Sequence, residues 1–450
     1  MSWRRIRWGL LAWAAWAVAS AAADRPSADA VRPWAEVRQE SFDLVWTTVN
    51  EAYFDRKFGG VDWSAVRVRY LARLGEAEDK PALRALLQQM LGELHRSHFA
   101  ILPREAAVFE PEERGRIGKV GATVTWTDGA VVVTEVQPES PAAKAGLKNG
   151  DVLRTVGGQD LAVLAEKLQR NAGWSAERSG RYLAQWAAHQ LCGPVGERME
   201  VEVADGQGEA RALEVAPASH EGAWSEPMGS FPSWPVEVRH HMDADGVGYV
   251  AFNTFAREAF RDVRDFVLKL PADGALVIDL RGNPGGIAAM APGLTGWLTD
   301  QPLWMGRMQM RQGVAQFTAF PQEGAFLGPV AVLIDGGSAS TSEILAAGLQ
   351  GAGRARIFGE RSAGQALPSA FVKLPMGDLF QFAMANIVTA RGIPLEGTGV
   401  TPDEPVSRTR AELAAGRDAV LDAARAWLQG ERGKKSARSR PADQSLSDKP

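Results

Sequence analysis

The sequence is poor in the residues that build disulfides and metal sites. It has 450 residues but only one cysteine, Cys192, and six histidines. A single cysteine excludes an intrachain disulfide and any zinc site built on cysteines. The HExxH pattern of a zinc peptidase is also absent. We therefore expect neither a metal nor an organic cofactor.

The sequence also has no large excess of charge of either sign and few long apolar runs. Lys and Arg number 50 against 54 Asp and Glu, which gives a formal net charge of -4. This balance gives no bulk attraction to nucleic acid, so no nucleic-acid partner is expected. Past residue 23 no stretch is apolar and long enough to span a bilayer, which argues against stable membrane insertion. The composition, 45% hydrophobic and 23% charged, is that of a folded protein, and the length is typical of about three domains.

The first 23 residues have the pattern of an export signal. Arg4, Arg5 and Arg7 form a basic start, residues 8–18 are apolar, and small residues fill positions 19–23. This order predicts a secretory signal peptide over residues 1–23 and a mature protein in the periplasm or cell envelope. The alternative, a membrane anchor, is disfavoured because the apolar stretch is shorter than the roughly 20 residues that a span requires.

Hydrophobic periodicity divides the remaining chain into helical, β and α/β regions. Leu83, Leu86, Leu87, Met90, Leu91 and Leu94 share one helix face, and this helix is predicted to continue to His98. The predicted divisions are a helical domain at 24–115, a β domain at 116–218 with a helical stretch at about 161–190, a linker at 219–235, an α/β domain at 236–430 and a disordered tail at 431–450.

The α/β region predicts a parallel sheet and the place of a site. Residues 247–252, 275–280 and 330–335 are strand-like and alternate with helical segments. Residues 371–374 and 379–382 are predicted to form a hairpin. Sites in parallel sheets form beyond the carboxyl ends of the strands, which here are residues 281–286 and 336–343.

Ser340 is the candidate nucleophile at the second of these ends. Ser340 and Glu343 have the S-x-x-E spacing of a capping box, which places Ser340 at the N-terminus of a helix. Free backbone N–H groups there suit a developing oxyanion, with the N–H of Thr341 as one donor and Gly285 or Gly286 as a source of a second. A plain N-cap serine is the alternative.

A serine nucleophile requires a base, and His98 has the best context among the six histidines. It follows Ser97 and lies outside the hydrophobic stripe of the helix, whereas His95 is equally consistent with an exposed helix-end cation. Glu396, in a glycine-rich segment after a strand, is the candidate acid that orients the base, with an ordinary loop carboxylate as the alternative. Spacing alone does not determine whether these residues converge.

Several motifs resemble those of one peptidase family. Residues 337–344 (GSASTSEI) resemble the nucleophile motif of the tail-specific (C-terminal-processing) serine peptidases and of the tricorn core peptidase. Three further family motifs resemble residues 278–286 (IDLRGNPGG), 359–364 (GERSAG) and 396–403 (EGTGVTPD), and residues 139–151 are similar to a PDZ signature. The resemblance covers nearly all of the mature chain. It implies an α/β protein with an N-terminal helical domain, a PDZ-like β domain with a helical insertion, and the αβ core of the tail-specific peptidases, which is crotonase-like.

The resembled family activates its serine in two ways. Its tail-specific branch uses a lysine about 25 residues after the nucleophile, where this sequence has Gln365, and an amide does not accept a proton at neutral pH. The tricorn-like branch uses a Ser-His pair from an upstream segment and a later glutamate, positions that Ser97, His98 and Glu396 match. The resemblance thus implies a Ser-His-Glu enzyme. With an unperturbed histidine pKa near 6.5, it should lose activity in mild acid.

The resemblance implies an exported serine endopeptidase that cleaves unfolded or C-terminally tagged proteins through an acyl-enzyme on Ser340. A PDZ domain implies capture of substrate C-termini, with the binding loop at Gly121, Ala122 and Thr123. Two other functions stay open: a non-catalytic relative that binds apolar ligands, and an adaptor whose PDZ domain only captures C-termini.

Overall fold

The computed structural model describes residues 32–172, 175–228 and 231–439. The predicted signal peptide at 1–23 and positions 440–450 of the predicted tail lie outside the described residues. The prediction of disorder is wrong for residues 431–439, because they continue a helix whose earlier turns bury Ala424 and Leu428. Among the described residues, no helix combines the length and apolarity needed to cross a membrane.

The first unit is helical and is built around the predicted leucine stripe. Its helices are α1 (Trp34–Ala52), α2 (Trp63–Arg73) and α3 (Lys80–Gly92). The Asp79 side chain caps α3 by accepting from the Ala82 N–H. Helix α3 ends at Gly92, six residues earlier than predicted, since His95 and His98 adopt φ values of 50° and 59° that no right-handed helix accommodates.

The second unit is an antiparallel sheet covered by helices. The sheet order is β3-β4-β5-β8-β9, with β6 paired to β5, so that β3 is an edge strand. Trp126 of β3 packs directly on Gly180 of helix α6, where a Cβ would lie 2.1 Å from the ring. The elements, after strand β1 (Ala100–Leu102), are β2 (Ile117–Lys119), β3 (Ala122–Thr127), β4 (Ala130–Val136), α4 (Pro141–Ala145), β5 (Val152–Val156), β6 (Gln159–Asp160), α5 (Leu161–Ala172), α6 (Ala176–Gln190), β7 (Cys192–Pro194), β8 (Met199–Ala204), β9 (Ala210–Val215) and β10 (Ala218–Ser219).

The third unit is the predicted α/β region. Its six-stranded sheet has the order β11-β12-β13-β16-β17-β21 and is parallel except for β11. The elements are β11 (Val238–Met242), β12 (Val247–Phe252), α7 (Arg257–Val267), β13 (Ala275–Asp279), α8 (Met290–Gly296), β14 (Leu303–Met310), β15 (Val314–Ala319), β16 (Val330–Ile334), α9 (Thr341–Gly351), β17 (Arg356–Gly359), β18 (Ser369–Lys373), β19 (Leu379–Ala383), β20 (Ala385–Thr389), β21 (Glu404–Pro405), α10 (Arg410–Ala414) and α11 (Ala419–Ser439).

Alternate residues of the central strands fill two cores. Leu276 and Ile278 of β13 pack on the side of α7, α8 and α9, and Ala275 and Val277 face α11. Each large apolar side chain buried in this way stabilises the sheet by about 1.5–3 kcal/mol. Continuous burial on both faces explains why these strands are apolar along their whole length.

The predicted hairpin joins the helical unit to the α/β unit. Strands β18 and β19 pair as expected, and β1 adds to β19 with Ile101 opposite Phe380. Phe380 is buried in the core of the helical unit, and Arg84 of α3 pairs with the buried carboxylate of Asp378 at 2.7 Å. These contacts hold residues 97–98, just before β1, against the α/β unit.

The segment predicted to be a linker is anchored to other segments at several of its described residues. Trp224 and Ser233 are buried, and the Ser233 N–H donates to the Val108 carbonyl oxygen at 2.6 Å. The ring of Phe231 meets Phe371 of β18 edge-on, with centroids 4.8 Å apart. We call residues 224–228 together with 231–235 the strap.

Candidate active site

Ser340 lies at the N-cap of α9, with a backbone that serine rarely adopts. Its φ is 55° and its ψ is -115°, a conformation that costs on the order of 1–3 kcal/mol and persists only when the surroundings impose it. The surroundings do so through hydrogen bonds. The Ser340 N–H donates to the Gln365 carbonyl oxygen at 2.8 Å, and the Ala339 N–H donates to the Asn283 carbonyl oxygen at 3.0 Å. The strained turn therefore presents Ser340 in one fixed place.

Glu343 is a buried carboxylate that organises the same turn. The predicted capping box is confirmed, with the Ser340 N–H donating to Glu343 Oε2 at 3.1 Å. Three other donors reach the carboxylate: the Ser362 hydroxyl at 2.6 Å and the N–H groups of Gly364 and Gln365 at 2.8 and 2.9 Å. Burial raises the pKa of Glu343 to about 7, although these four hydrogen bonds favour the charged form. The sequence suggested a helix cap here and gave no sign of the wider network.

Residues 359–364 and 396–403 form two loops that are bonded to each other. The Ser362 N–H donates to the Val400 carbonyl oxygen at 3.1 Å, and the Val400 N–H donates to the Ser362 hydroxyl at 2.6 Å. The Gly397 N–H donates to the Gly364 carbonyl oxygen at 2.8 Å, and an added Cβ on Gly364 would lie 3.3 Å from the backbone of Gly397. The loop that carries Glu396 is thereby fixed to the loop that holds Glu343 and Ser340.

Of the predicted oxyanion donors, the structure favours Thr341 and Gly286 over Gly285. The Gly285 N–H donates to Asn283 Oδ1 at 2.8 Å, which occupies it. The two residues beside Gly286 form its parallel bridge to Phe255, because the Phe255 N–H donates to the Gly285 carbonyl oxygen and the Ile287 N–H donates to the Phe255 carbonyl oxygen. The N–H of Gly286 itself therefore faces away from Phe255. It faces the same side as the Gly286 carbonyl oxygen, which accepts from Thr341 Oγ1 at 2.9 Å. The Thr341 N–H is one of the first helical amides, which lack an intrahelical acceptor. Gly285 has a steric task, because a Cβ on it would lie 2.7 Å from Ser340 Cβ.

Ser97, His98 and Glu396 meet in one hydrogen-bonded chain. The Ser97 N–H and hydroxyl each donate to the Glu396 carboxylate at 2.8 Å, and Ser97 Oγ lies 2.7 Å from His98 Nδ1. A carboxylate only accepts, so the Ser97 proton points to Glu396 and Ser97 Oγ accepts from the Nδ1–H of His98. This assigns the tautomer of His98 and leaves its Nε2 with a free lone pair.

The chain of bonds reaches the neighbourhood of Ser340 through the backbone. Glu396 also accepts from the Ala366 N–H at 3.1 Å, and the preceding residue, Gln365, holds the Ser340 N–H. Within the described residues no hydrogen bond joins His98 to Ser340, a bond that in enzymes often forms only once substrate is present. His98 is half-buried, and the burial of its ring lowers its pKa to about 4. Burial therefore favours the neutral imidazole and moves the expected loss of activity to a pH below 6.5.

A cavity of about 580 Å³ lies between the second unit and the α/β unit, beside the turn of Ser340. The edge strand β3 contributes residues 123–126 to its wall, and helix α6 forms a second wall. His98, Ala339 and Gln365 form its floor. A groove between an edge strand and a helix, lined by Ala339 next to the candidate nucleophile, suits an extended peptide. Of the predicted loop, Thr123 lines this cavity, and Gly121 and Ala122 precede it at the start of β3.

The sequence did not predict that helix α6 forms a wall of this cavity. Arg181, Ala184, Gln185, Ala188 and His189 all line the cavity, and their spacing of three, one, three and one places them on one helix face. The spacing was readable, but nothing in the sequence indicated that this face adjoins another unit. In the described part of the chain, no group of three or more His, Cys, Asp or Glu side chains is placed to hold a metal ion.

The fold and this cavity together define an α/β core with a candidate serine nucleophile, joined to a PDZ domain. Residues 246–406 match the sequence profile of Peptidase family S41, residues 35–92 that of the Tricorn protease C1 domain, and residues 132–171 that of a PDZ domain. The chain therefore carries a Peptidase family S41 domain, a Tricorn protease C1 domain and a PDZ domain, and its relatives include proteins named carboxyl-terminal-processing proteases.

Individual relatives agree with this assignment. The carboxyl-terminal-processing protease of Synechocystis sp. is 24% identical over 398 residues, covering 86% of this chain and 85% of its own. Tricorn protease homolog 1 of Streptomyces coelicolor is 28% identical over 411 residues, which are 88% of this chain and 35% of that protein. Among solved structures, the photosystem II D1 C-terminal processing protease has the same fold, with a TM-score of 0.56 at 24% identity over 85% of this chain and 98% of its own. The predicted fold class is confirmed.

Proposed function

We propose that this protein is a serine endopeptidase that cleaves unfolded or C-terminally tagged proteins through an acyl-enzyme on Ser340. The observation that carries the proposal is the bonded chain from Glu396 through Ser97 to His98, fixed to the turn of Ser340 through Ala366 and Gln365. Its local geometry leaves one basic atom, His98 Nε2, free to accept a proton.

His98 would act as base and then as acid. Its Nε2 takes the proton of the Ser340 hydroxyl as the oxygen attacks the peptide carbonyl, and it returns that proton to the leaving amine. The imidazolium formed in between donates from Nδ1 to Ser97 Oγ, whose own proton stays on the side of Glu396. Glu396 is thus the orienting acid, acting through the hydroxyl of Ser97.

The negative charge of the tetrahedral intermediate would lie between two backbone donors, Thr341 N–H and Gly286 N–H. Each such donor is worth on the order of 10²–10³ in kcat when it is fixed in advance. The backbone of Thr341 is fixed by α9, and that of Gly286 by its bridge to Phe255. The site therefore needs little rearrangement as charge develops.

Substrates would be proteins or peptides whose C-termini bind the PDZ domain. An extended segment adds to the edge strand β3, and its terminal carboxylate is held by backbone N–H groups at Gly121, Ala122 and Thr123. The cavity then leads the chain from β3 to His98 and to Ala339, the residue before Ser340. Export to the periplasm, based on the pattern of residues 1–23, completes the proposal and is checked by cell fractionation.

The proposal is tested by incubating the purified protein with a fluorophosphonate probe and with peptides that differ only in a free or amidated C-terminus. We expect a covalent adduct that mass spectrometry maps to Ser340, and faster cleavage of the free acid. An adaptor would bind the free acid without adduct or cleavage. A carrier of apolar ligands would be stabilised by fatty acids or retinoids and stay unlabelled. Either outcome refutes the peptidase.

The pH dependence should follow the lowered pKa of His98. Because the base must be neutral and its pKa is about 4, kcat/KM should stay constant from pH 7 to about 5 and fall below that. The unfolded chain protonates His98 near pH 6.5, whereas the folded protein does so only near pH 4. His98 therefore lowers the free energy of unfolding as the pH falls from about 6.5 to 4. Glu343, with its pKa raised, has the opposite sign between pH 7 and 4.5. Circular dichroism at each pH separates unfolding from titration, and a folded enzyme with a midpoint near 6.5 would contradict the assignment.

A further inference from the structure

A second, smaller cavity lies beside Gly286, the residue after the Gly285 that closely approaches Ser340. Its volume is about 60 Å³. The two cavities share no lining residue. Its walls are mainly apolar: Met228, Phe231, Pro232, Trp234, Phe255 and Ile287. All but the last two belong to the strap.

The segment 282–287 runs from one cavity to the other. Gly282 and Pro284 line the large cavity of about 580 Å³, and Gly286 and Ile287 line the small one. Between them, Gly285 approaches the nucleophile so closely that a Cβ added to it would lie 2.7 Å from Ser340 Cβ. A substrate bonded to Ser340 must pass Gly285. The parts of the substrate on the two sides of the scissile bond would therefore extend toward different cavities.

The small cavity is held open by the packing of the strap. The Ser225 N–H donates to the Trp234 carbonyl oxygen, and the Trp234 N–H donates to Ser225 Oγ, both at 2.9 Å. The edge-on contact of Phe231 with Phe371 fixes the strap to the hairpin beside the site. Yet Met228 and Trp234 keep 46% and 42% of their surface exposed, an apolar surface that the described residues do not cover.

The rim of the cavity carries charges of both signs, and Glu226 there pairs with Arg114 at 3.7 Å. Glu226 and Glu258 lie at the rim together with Arg257, and the Glu226 N–H approaches Glu258 Oε1 at 3.4 Å. Any charged side chain of the substrate would lose water against the apolar walls. The volume of about 60 Å³ is less than half that of a cavity of about 150 Å³ known to hold benzene, which disfavours a large aromatic side chain.

We propose that this cavity binds one aliphatic side chain of the substrate, of the size of valine or leucine, on the acyl side of the scissile bond. The orientation of the substrate follows from the proposed capture of its C-terminus. Because its C-terminal half then lies in the large cavity beside β3, the half that acylates Ser340 lies toward Gly286 and the strap. This inference rests on the proposed function and adds its side-chain specificity.

The test uses the full protein and peptides with a common free C-terminus that differ only at the residue before the scissile bond, which is Val, Leu, Phe, Trp or Asp. Mass spectrometry identifies the cleaved bond, and competition gives the ratios of kcat/KM. We expect Leu or Val to be preferred over Trp and Asp by at least about tenfold, within the range that an apolar pocket supplies. Equal rates for all five peptides would overturn the inference while leaving the peptidase intact, whereas no cleavage of any peptide would refute the proposed function itself.

The walls are tested by Trp234→Ala, which enlarges the cavity. The ratio of Phe to Leu cleavage should rise at least about tenfold, with Met228→Ala as a second variant if the first unfolds. The matched control is Trp304→Ala, which removes a tryptophan with 47% of its surface exposed on β14, away from the cavity. An unchanged ratio in both folded strap variants, or the same change in the control, would overturn the assignment.

Discussion

Replacing Ser340 by alanine should abolish both peptide cleavage and labelling by the fluorophosphonate probe. A serine that forms the acyl-enzyme contributes about 10⁶ in kcat, so the residual rate should fall below detection. The fold should survive, because the bonds from the Ser340 N–H to Gln365 and Glu343 are kept and only the side-chain cap to the Glu343 N–H is lost, at a cost of about 0.5–2 kcal/mol. Thermal unfolding of the variant should therefore stay cooperative, with a slightly lower midpoint than that of the parent protein.

The control is Ser219→Ala, at an exposed position of β10 far from the turn. It should keep full activity and labelling. A Ser340→Ala variant that still cleaves peptides, with the cleaved bond unchanged, would show that another nucleophile acts. Loss of activity together with loss of the thermal transition would be assigned to unfolding and resolved with Ser340→Cys, whose thiol restores a nucleophile at the same position.

The second large effect is expected from His98→Asn. Asparagine tolerates the left-handed backbone that His98 adopts, with φ of 59°, so the variant removes the base without adding backbone strain. Loss of a base that acts as one unit with the nucleophile costs a similar factor, about 10⁴–10⁶ in kcat. Steady-state kinetics with the free-acid peptide measure this loss, and KM should change little because His98 acts after binding.

His95→Asn is the matched control, since His95 is exposed and has a φ of 50° but lies outside the chain of hydrogen bonds described above. It should retain activity. Glu396→Gln completes the set: an amide at Glu396 alters the proton positions at Ser97 and should lower kcat by up to about 10⁴. Full activity in His98→Asn would refute the assignment of the base even if Ser340 is confirmed as the nucleophile.

Local patterns were sufficient for much of the fold. The leucine stripe predicted the buried face of α3, although Leu94 lies beyond its end. The uniformly apolar runs predicted β13 and β16, and the S-x-x-E spacing predicted Ser340 as the cap of α9. These features depend on residues within one or two turns of each other, where period and capping chemistry leave few alternatives.

Other features depend on contacts between distant segments and were not predictable. Helix α3 was expected to reach His98, but Gly92 ends it and the following residues turn toward β1, which pairs with β19. The predicted linker became the packed strap, because Trp224 and Ser233 are buried against other segments. Gly285 was proposed as an oxyanion donor, but the side chain of Asn283 takes its N–H.

By itself the sequence determined the order of the three units and the family motifs. It also placed Ser340 at a helix N-terminus and showed that position 365, where the tail-specific branch has its lysine, is a glutamine. Only the tertiary structure brought Ser97 and Glu396 together, which are 299 positions apart in the chain, and assigned the proton positions of His98. It also lowered the pKa of His98 and raised that of Glu343, because desolvation depends on what covers a group. A hydrogen bond between residues so far apart is set by the packing of whole units, and no local pattern in the chain encodes it.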